Sequence, residues 1–252
     1  MTNEQLMALR GLLREEHLSA FIFPKSSKSM QLEVVTAGED EMKDSEDEVA
    51  QWLGKHLSGV RSPEVAVDGM KISFLRGERL IQALRQSGGI TLRTNLNPFV
   101  RLPQQLFPHS QRNVVLRMKE YTDGLIHNRL TAIRRVLRKQ HADGTLVSAS
   151  ESIAWALGLD VKSLAENRCW LLIASESATL YINKRQISSE ILTLFLRESV
   201  GVSDVIDIVK GLETYFEYNI LLDPEETCYT LFKAAKRIVL SQKSPIASLI
   251  AV

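Results

Sequence analysis

Residues Leu6, Ala8, Leu9, Arg10, Leu12, Leu13, Arg14 and His17 return 124 positions later, without a gap, as Leu130, Ala132, Ile133, Arg134, Val136, Leu137, Arg138 and His141. A shared helical period would bring back the apolar positions alone, not the alanine, both arginines and the histidine. A strand-like apolar run follows each copy in the same place, Phe21-Ile22-Phe23 and then Leu146-Val147 after the Asp143-Gly144 break. This internal duplication predicts two domains of one type, and 252 residues suffice for two of ordinary size.

The rest of the chain fits an alternation of helices and strands. Thr2 or Asn3 can cap the first helix, and Ala20 to Phe23 is a strand ended by Pro24. Lys25 to Lys43 is thin, with room for one strand at Leu32 to Val35, so the first sheet is expected to lack strands. The acids from Glu39 to Glu48 lack the alternating ligands and turn glycine of a calcium loop. They read as a solvated loop entering a helix capped by Ser45 and Glu48. Glu64 to Val67 and Ile90 to Arg93 read as strands around a helix through Leu80 and Leu84, and Asn97-Pro98 opens a short helix. Leu102 to Asn113, rich in Pro, Gln, His and Ser, reads as a linker. The expected domains are therefore 1–112 and 113–252.

In the second half, Ser150 to Leu159 is a short helix carrying Trp155, and Trp170 to Ala174 with Thr179 to Ile182 makes a hairpin inserted relative to the first half. Ile187 to Arg197 is amphipathic, Val205 to Ile208 a strand and Leu212 to Phe216 a helix. Asn219 to Leu222 ends at Asp223 as Val65 to Val67 ends at Asp68, each Asp placed to cap a following helix. The pattern argues for α/β layers.

Composition narrows the function by exclusion. Hydrophobic residues make up 44% and charged residues 24%, with 31 basic against 30 acidic side chains, so nothing favours a polyanionic partner such as nucleic acid. No apolar run approaches the ~20 residues of a membrane span, and Cys169 and Cys228 have no metal-type spacing; a cytoplasmic protein with reduced thiols is expected. The sequence holds no G-x-S-x-G, H-E-x-x-H, C-x-x-C or Gly-rich phosphate loop. The five histidines, His17, His56, His109, His127 and His141, never share a helix face, and His17 and His141 read as helix C-terminal caps. Trp155 and Trp170 read as core residues before binding ones.

Several stretches in order resemble the aminopeptidase P (Xaa-Pro aminopeptidase) group of the creatinase/prolidase family. LRGLLREEHLSAFIFP is similar to that family's opening, and EYTDGLIHNRLTAIRRVLRKQHADGTLVSA to the entry into its second domain. ESIAWALGL resembles its tryptophan motif, LLIASESATLYINK its central hairpin, ILLDPEETCYTLF its later strand and helix, and SPIASLIAV the segment leading into its catalytic domain.

The resemblance implies two tandem ribonuclease H-like domains, each a mixed sheet with helices on its faces, the first one pruned. It also implies that hydrolysis belongs to a third domain, whose two aspartates, one histidine and two glutamates hold a dinuclear Mn or Zn site. That domain would begin where this sequence ends, at Val252, so no catalytic, cofactor-binding or metal-ligating residue is expected here. The resemblance puts Trp155, Gly158 and Asp160 at the expected substrate-side edge; the family's Asn is Gly158 and its Arg is Asp160, an acid that reverses the charge, so the Arg's role is not carried over. Expected partners are the family's catalytic domain or a second copy, with neither nucleic acid nor membrane. The leading expectation is a non-catalytic scaffold, access or oligomerisation module; the alternative is a standalone interaction or small-molecule-binding protein.

Overall fold

Both copies of the repeat fold as a helix followed by a strand, and they end the helix in the same way. The structure is a computed structural model describing residues 1–25, 30–97, 101–102, 113–117, 124–165, 167–241 and 246–250. Two compact units result, 1–109 with Cys228–Thr230, and 110–227 with 231–252.

The first unit runs α1 (Asn3–Glu15), β1 (Ala20–Pro24), β2 (Leu32–Thr36), β3 (Asp40–Lys43), α2 (Glu46–His56), β4 (Glu64–Val67), α3 (Phe74–Gln86) and β5 (Thr91–Arg93). Thr2 and Gln5 close a reciprocal capping box at the start of α1. The sheet order is β3-β2-β1-β4-β5, with the β2 and β3 pairings antiparallel and the other two parallel. Side chains alternate across it. Phe21, Phe23, Val35 and Ala66 bury against Leu9, Leu12 and Leu13 of α1. Ile22, Val34, Val65 and Val67 bury on the other face with Val49, Leu53, Leu80 and Leu84 of α2 and α3.

In the second half come α4 (Leu125–Lys139), β6 (Gly144–Val147), α5 (Ser150–Leu157), α6 (Val161–Ala165), β7 (Trp170–Ala174), β8 (Ala178–Tyr181) and α7 (Ser189–Arg197). They are followed by β9 (Val200–Ser203), α8 (Ile208–Glu213), β10 (Asn219–Leu222), α9 (Tyr229–Ala234), β11 (Arg237–Leu240) and α10 (Ala247–Ile250). The sheet order is β11-β10-β6-β7-β8-β9. Five of its strands repeat the first sheet: β6 pairs antiparallel with β7 and parallel with β10 as β1 does with β2 and β4. Among the described residues only β9, parallel to β8 at the edge, has no counterpart.

The duplication reaches the backbone. His17 and His141 sit just past α1 and α4 with φ of 56° and 54°. Around each, the next amide reaches back to the helix, Leu18 N to Leu13 O at 2.8 Å and Ala142 N to Leu137 O at 3.0 Å. The histidine amides themselves donate to Arg14 O and Arg138 O. Both are Schellman closures with histidine where glycine is usual. The C-terminal placement expected of both histidines is observed, and the backbone does the capping.

Four expectations are corrected. Lys25 to Lys43 supplies two strands rather than one, and the acidic run begins as edge strand β3 rather than as a loop, although the first sheet still has five strands against six in the second. β3 carries charged, exposed side chains and pairs on one side only, so it shows no apolar alternation. A hairpin is accordingly present in both halves, β2–β3 and β7–β8. Val205 to Asp207 is a 3-10 turn, because the Asp204 carboxylate accepts from Ile206 N at 3.3 Å and bends the chain; the strand is Val200–Ser203 and the helix after it Ile208–Glu213. Asp68 and Asp223 do not cap helices. Each accepts from the amide two residues on, Met70 at 2.9 Å and Glu225 at 2.8 Å, turning the chain out of the strand. The Asn97-Pro98 helix and most of the 102–113 linker lie outside the described residues.

Ser45 Oγ accepts from Glu48 N at 3.3 Å, opening α2 as expected. Its first residue, Glu46, is 6% exposed and takes Arg76 Nε of α3 at 2.5 Å, while Arg76 also donates to Met30 O.

Candidate functional site

The stretch from Trp155 to Asp160 forms one corner. Trp155 is half-buried against the core near the end of α5, and the Arg129 guanidinium lies 4.9 Å from its ring centre while donating to its carbonyl. Gly158 ends α5 at φ 66°, a left-handed position where glycine is unstrained and asparagine is the next best tolerated. Its carbonyl accepts from Arg117 N at 2.9 Å, and Leu159 bridges Leu116. Asp160 faces the start of α6: its carboxylate accepts from Ser163 N at 2.8 Å, and Ser163 Oγ donates to the Asp160 carbonyl. The three expected edge residues are therefore adjacent, each with a structural task. The negative charge at 160 caps a helix, a task an arginine there could not perform.

A second feature lies at the start of β6. A cleft of about 170 Å³ is lined by Arg134, Leu137, Arg138, Ala142, Asp143 and Ser175. Arg134 and Arg138 stand one turn apart on α4. Arg134 Nε donates to Ala174 O at 2.9 Å, and burial pushes its pKa below the ordinary 12.5, though it stays a cation. Asp143 accepts from Asn219 N at 2.8 Å. Sequence reasoning placed both arginines on a polar helix face; their exact repetition across the duplication was the available signal.

Cys169 is buried and its thiol is pushed up to about 12 by desolvation, so it is no nucleophile. Trp170 is buried at 5% exposure, as expected of a core residue. Among the described residues no three His, Cys, Asp or Glu side chains converge to hold a metal ion. No helix among the described residues is long and apolar enough to cross a membrane.

A model of the creatinase/prolidase N-terminal domain matches residues 107–252, more than half of the sequence. The chain belongs to the creatinase/prolidase N-terminal domain family. Its curated relatives in that family are aminopeptidase P-like. A probable Xaa-Pro aminopeptidase P of Sclerotinia sclerotiorum is 24% identical over 94% of this chain and 45% of its own length. Aminopeptidase P1 of Arabidopsis thaliana is 20% identical over 82% of this chain and 37% of its own. A Fusarium vanettenii probable Xaa-Pro aminopeptidase P is 27% identical over 56% of this chain and 23% of its own. The chain thus spans less than half the length of these relatives. In fold, it is similar to X-prolyl aminopeptidase from Caenorhabditis elegans, described as a cytosolic enzyme with a di-nuclear active site. The TM-score is 0.77 at 14% identity, covering 99% of this chain and 51% of the worm protein. Both units therefore have the creatinase-type α/β fold.

Proposed function

We propose that the chain is a non-catalytic, cytoplasmic module of a Xaa-Pro aminopeptidase-like protein, acting as scaffold, access wall or oligomer contact beside a dinuclear metallopeptidase site. One observation carries this reading: nearly the whole chain matches the fold of half of the worm aminopeptidase, leaving the other half of that enzyme outside the match. The family match over 107–252 supports it. The physical task of such a module is to present rigid surfaces, which two buried sheets with capped helices suit.

A second reading, a standalone interaction or small-molecule-binding protein built on these domains, is favoured by Asp160, whose carboxylate is engaged within the chain rather than aimed at a substrate. Mixing the purified chain with the catalytic domain of a Xaa-Pro aminopeptidase separates the two. Co-migration on gel filtration, with a changed KM for an Xaa-Pro peptide, is the result expected of the module. A chain that neither co-migrates nor self-associates contradicts it and leaves the second reading.

A further inference from the structure

The two copies of the repeat differ where they should be most alike. In the first, Arg10 Nε donates to Thr36 O at 3.2 Å, and its Nη2 donates to Gly38 O and the Asp40 carboxylate, both at 3.2 Å. In the second, Arg134 makes the same bond to Ala174, which pairs with Gly144 as Thr36 pairs with Ala20. Strand register then aligns Asp40, opposite Val35, with Ala178, opposite Ile173. The carboxylate that neutralises the first arginine is an alanine methyl in the second. The Leu18 position is likewise Ala142, which opens space beside the guanidinium. Among the described residues neither the Arg138 guanidinium nor the Nη groups of Arg134 have a side-chain or backbone partner.

We propose that this cleft binds the carboxylate of a small monoanionic ligand between Arg134 and Arg138, with a short apolar stem against Leu137 and Ala142. The ligand replaces the carboxylate that Asp40 supplies in the first copy. A guanidinium presents parallel donors that match a carboxylate. The volume, about 170 Å³, is below the about 300 Å³ of a drug-sized site, which limits the guest to one group and its stem. Asp143 lies in the wall, so the two arginines share the cleft with one acid and a monoanion is favoured over a dianion such as phosphate. The guest is either a free acid or the C-terminus of a peptide. This inference is independent of the module reading, since it concerns a site within the second unit alone.

The test is NMR titration of the arginine side-chain signals of the full chain with isovalerate, Gly-Gly-Val, its C-terminal amide, and inorganic phosphate. Saturable shifts of the Arg134 and Arg138 signals with isovalerate are expected, with affinity at least tenfold weaker in R138Q, read at Arg134, and in R134K, read at Arg138, and unchanged in R14Q, the equivalent position of the first copy. R134K keeps the charge and loses the fork, so a loss there with an unaltered circular dichroism spectrum reports binding rather than folding. Binding by Gly-Gly-Val but not its amide assigns the guest to peptide C-termini; binding by isovalerate alone assigns it to free acids. No saturation with either acid, tighter binding of phosphate, or an equal loss in R14Q overturns the proposal.

Discussion

Arg10 Nε donates to the carbonyl of Thr36 at 3.2 Å, tying α1 to the end of β2 across the strand between them. Arg134 ties α4 to β7 through Ala174 in the same way. The bond joins each helix to its sheet at a polar point beside the apolar contacts. Each arginine is half-buried, so its loss strands a carbonyl as well as removing a cation.

Replacing Arg10 by alanine is expected to destabilise the first unit by about 1–3 kcal/mol, the cost of leaving a buried hydrogen-bonding group without its partner. Urea unfolding of R10A and of R134A checks it. R134A is expected to cost less, because it loses one bond where R10A also loses the Gly38 and Asp40 contacts.

His17→Gly and His141→Gly should each be neutral or stabilising by up to about 1 kcal/mol, since both residues occupy left-handed backbone that glycine adopts freely. His17→Val should destabilise, because a β-branched side chain is strained there. Thermal melting of the three variants provides the comparison; a valine variant as stable as the glycine one would refute the closure described here.

Glu46→Ala leaves Arg76 a buried cation beside α2 and is expected to cost about 3–5 kcal/mol. The double variant E46L/R76M should recover much of that loss, because it buries no charge. Equal stability of the single and double variants in urea would contradict this.

The thiol of Cys169, pushed up to about 12 from 9.0, must stay protonated in the fold. The unfolded chain loses that proton first, so the contribution to stability is whole below pH 9. It is lost as pH climbs from 9 toward 12, by at most about 1.4 kcal/mol per pH unit. Melting curves of wild type and C169A from pH 8 to 11 should converge with rising pH. At pH 8, native Cys169 and the equally buried Cys228 should resist thiol reagents that label both in denaturant.

The elements legible in the sequence are the helices with one buried stripe and the strands buried along most of their length. α1, α4, β1, β6, β7 and β10 announce themselves because burial fixes their period, and the duplication announced the shared topology. β3 and β9 are hidden because most of their side chains are not fully buried: β3 is charged and largely exposed, and in β9 only Val200 is buried before Gly201 interrupts the apolar run. Asp204 misled by ending an apolar-looking Val205-Ile206 run in a turn set by its own side chain. Of the site, the adjacency of Trp155, Gly158 and Asp160 was visible, but the capping by Asp160 depends on where Ser163 falls in space. The arginine cleft depends on strand register, which equates Ala178 with Asp40, positions that the 124-residue spacing of the helix repeat does not relate.

The most direct test of the central claim is to offer the purified chain an Xaa-Pro peptide with Mn²⁺ and follow release of the N-terminal residue. A non-catalytic module gives no release above the buffer control at any chain concentration. Release proportional to the chain, abolished by a chelator and restored by Mn²⁺, would contradict that account and place a working metal site on this polypeptide.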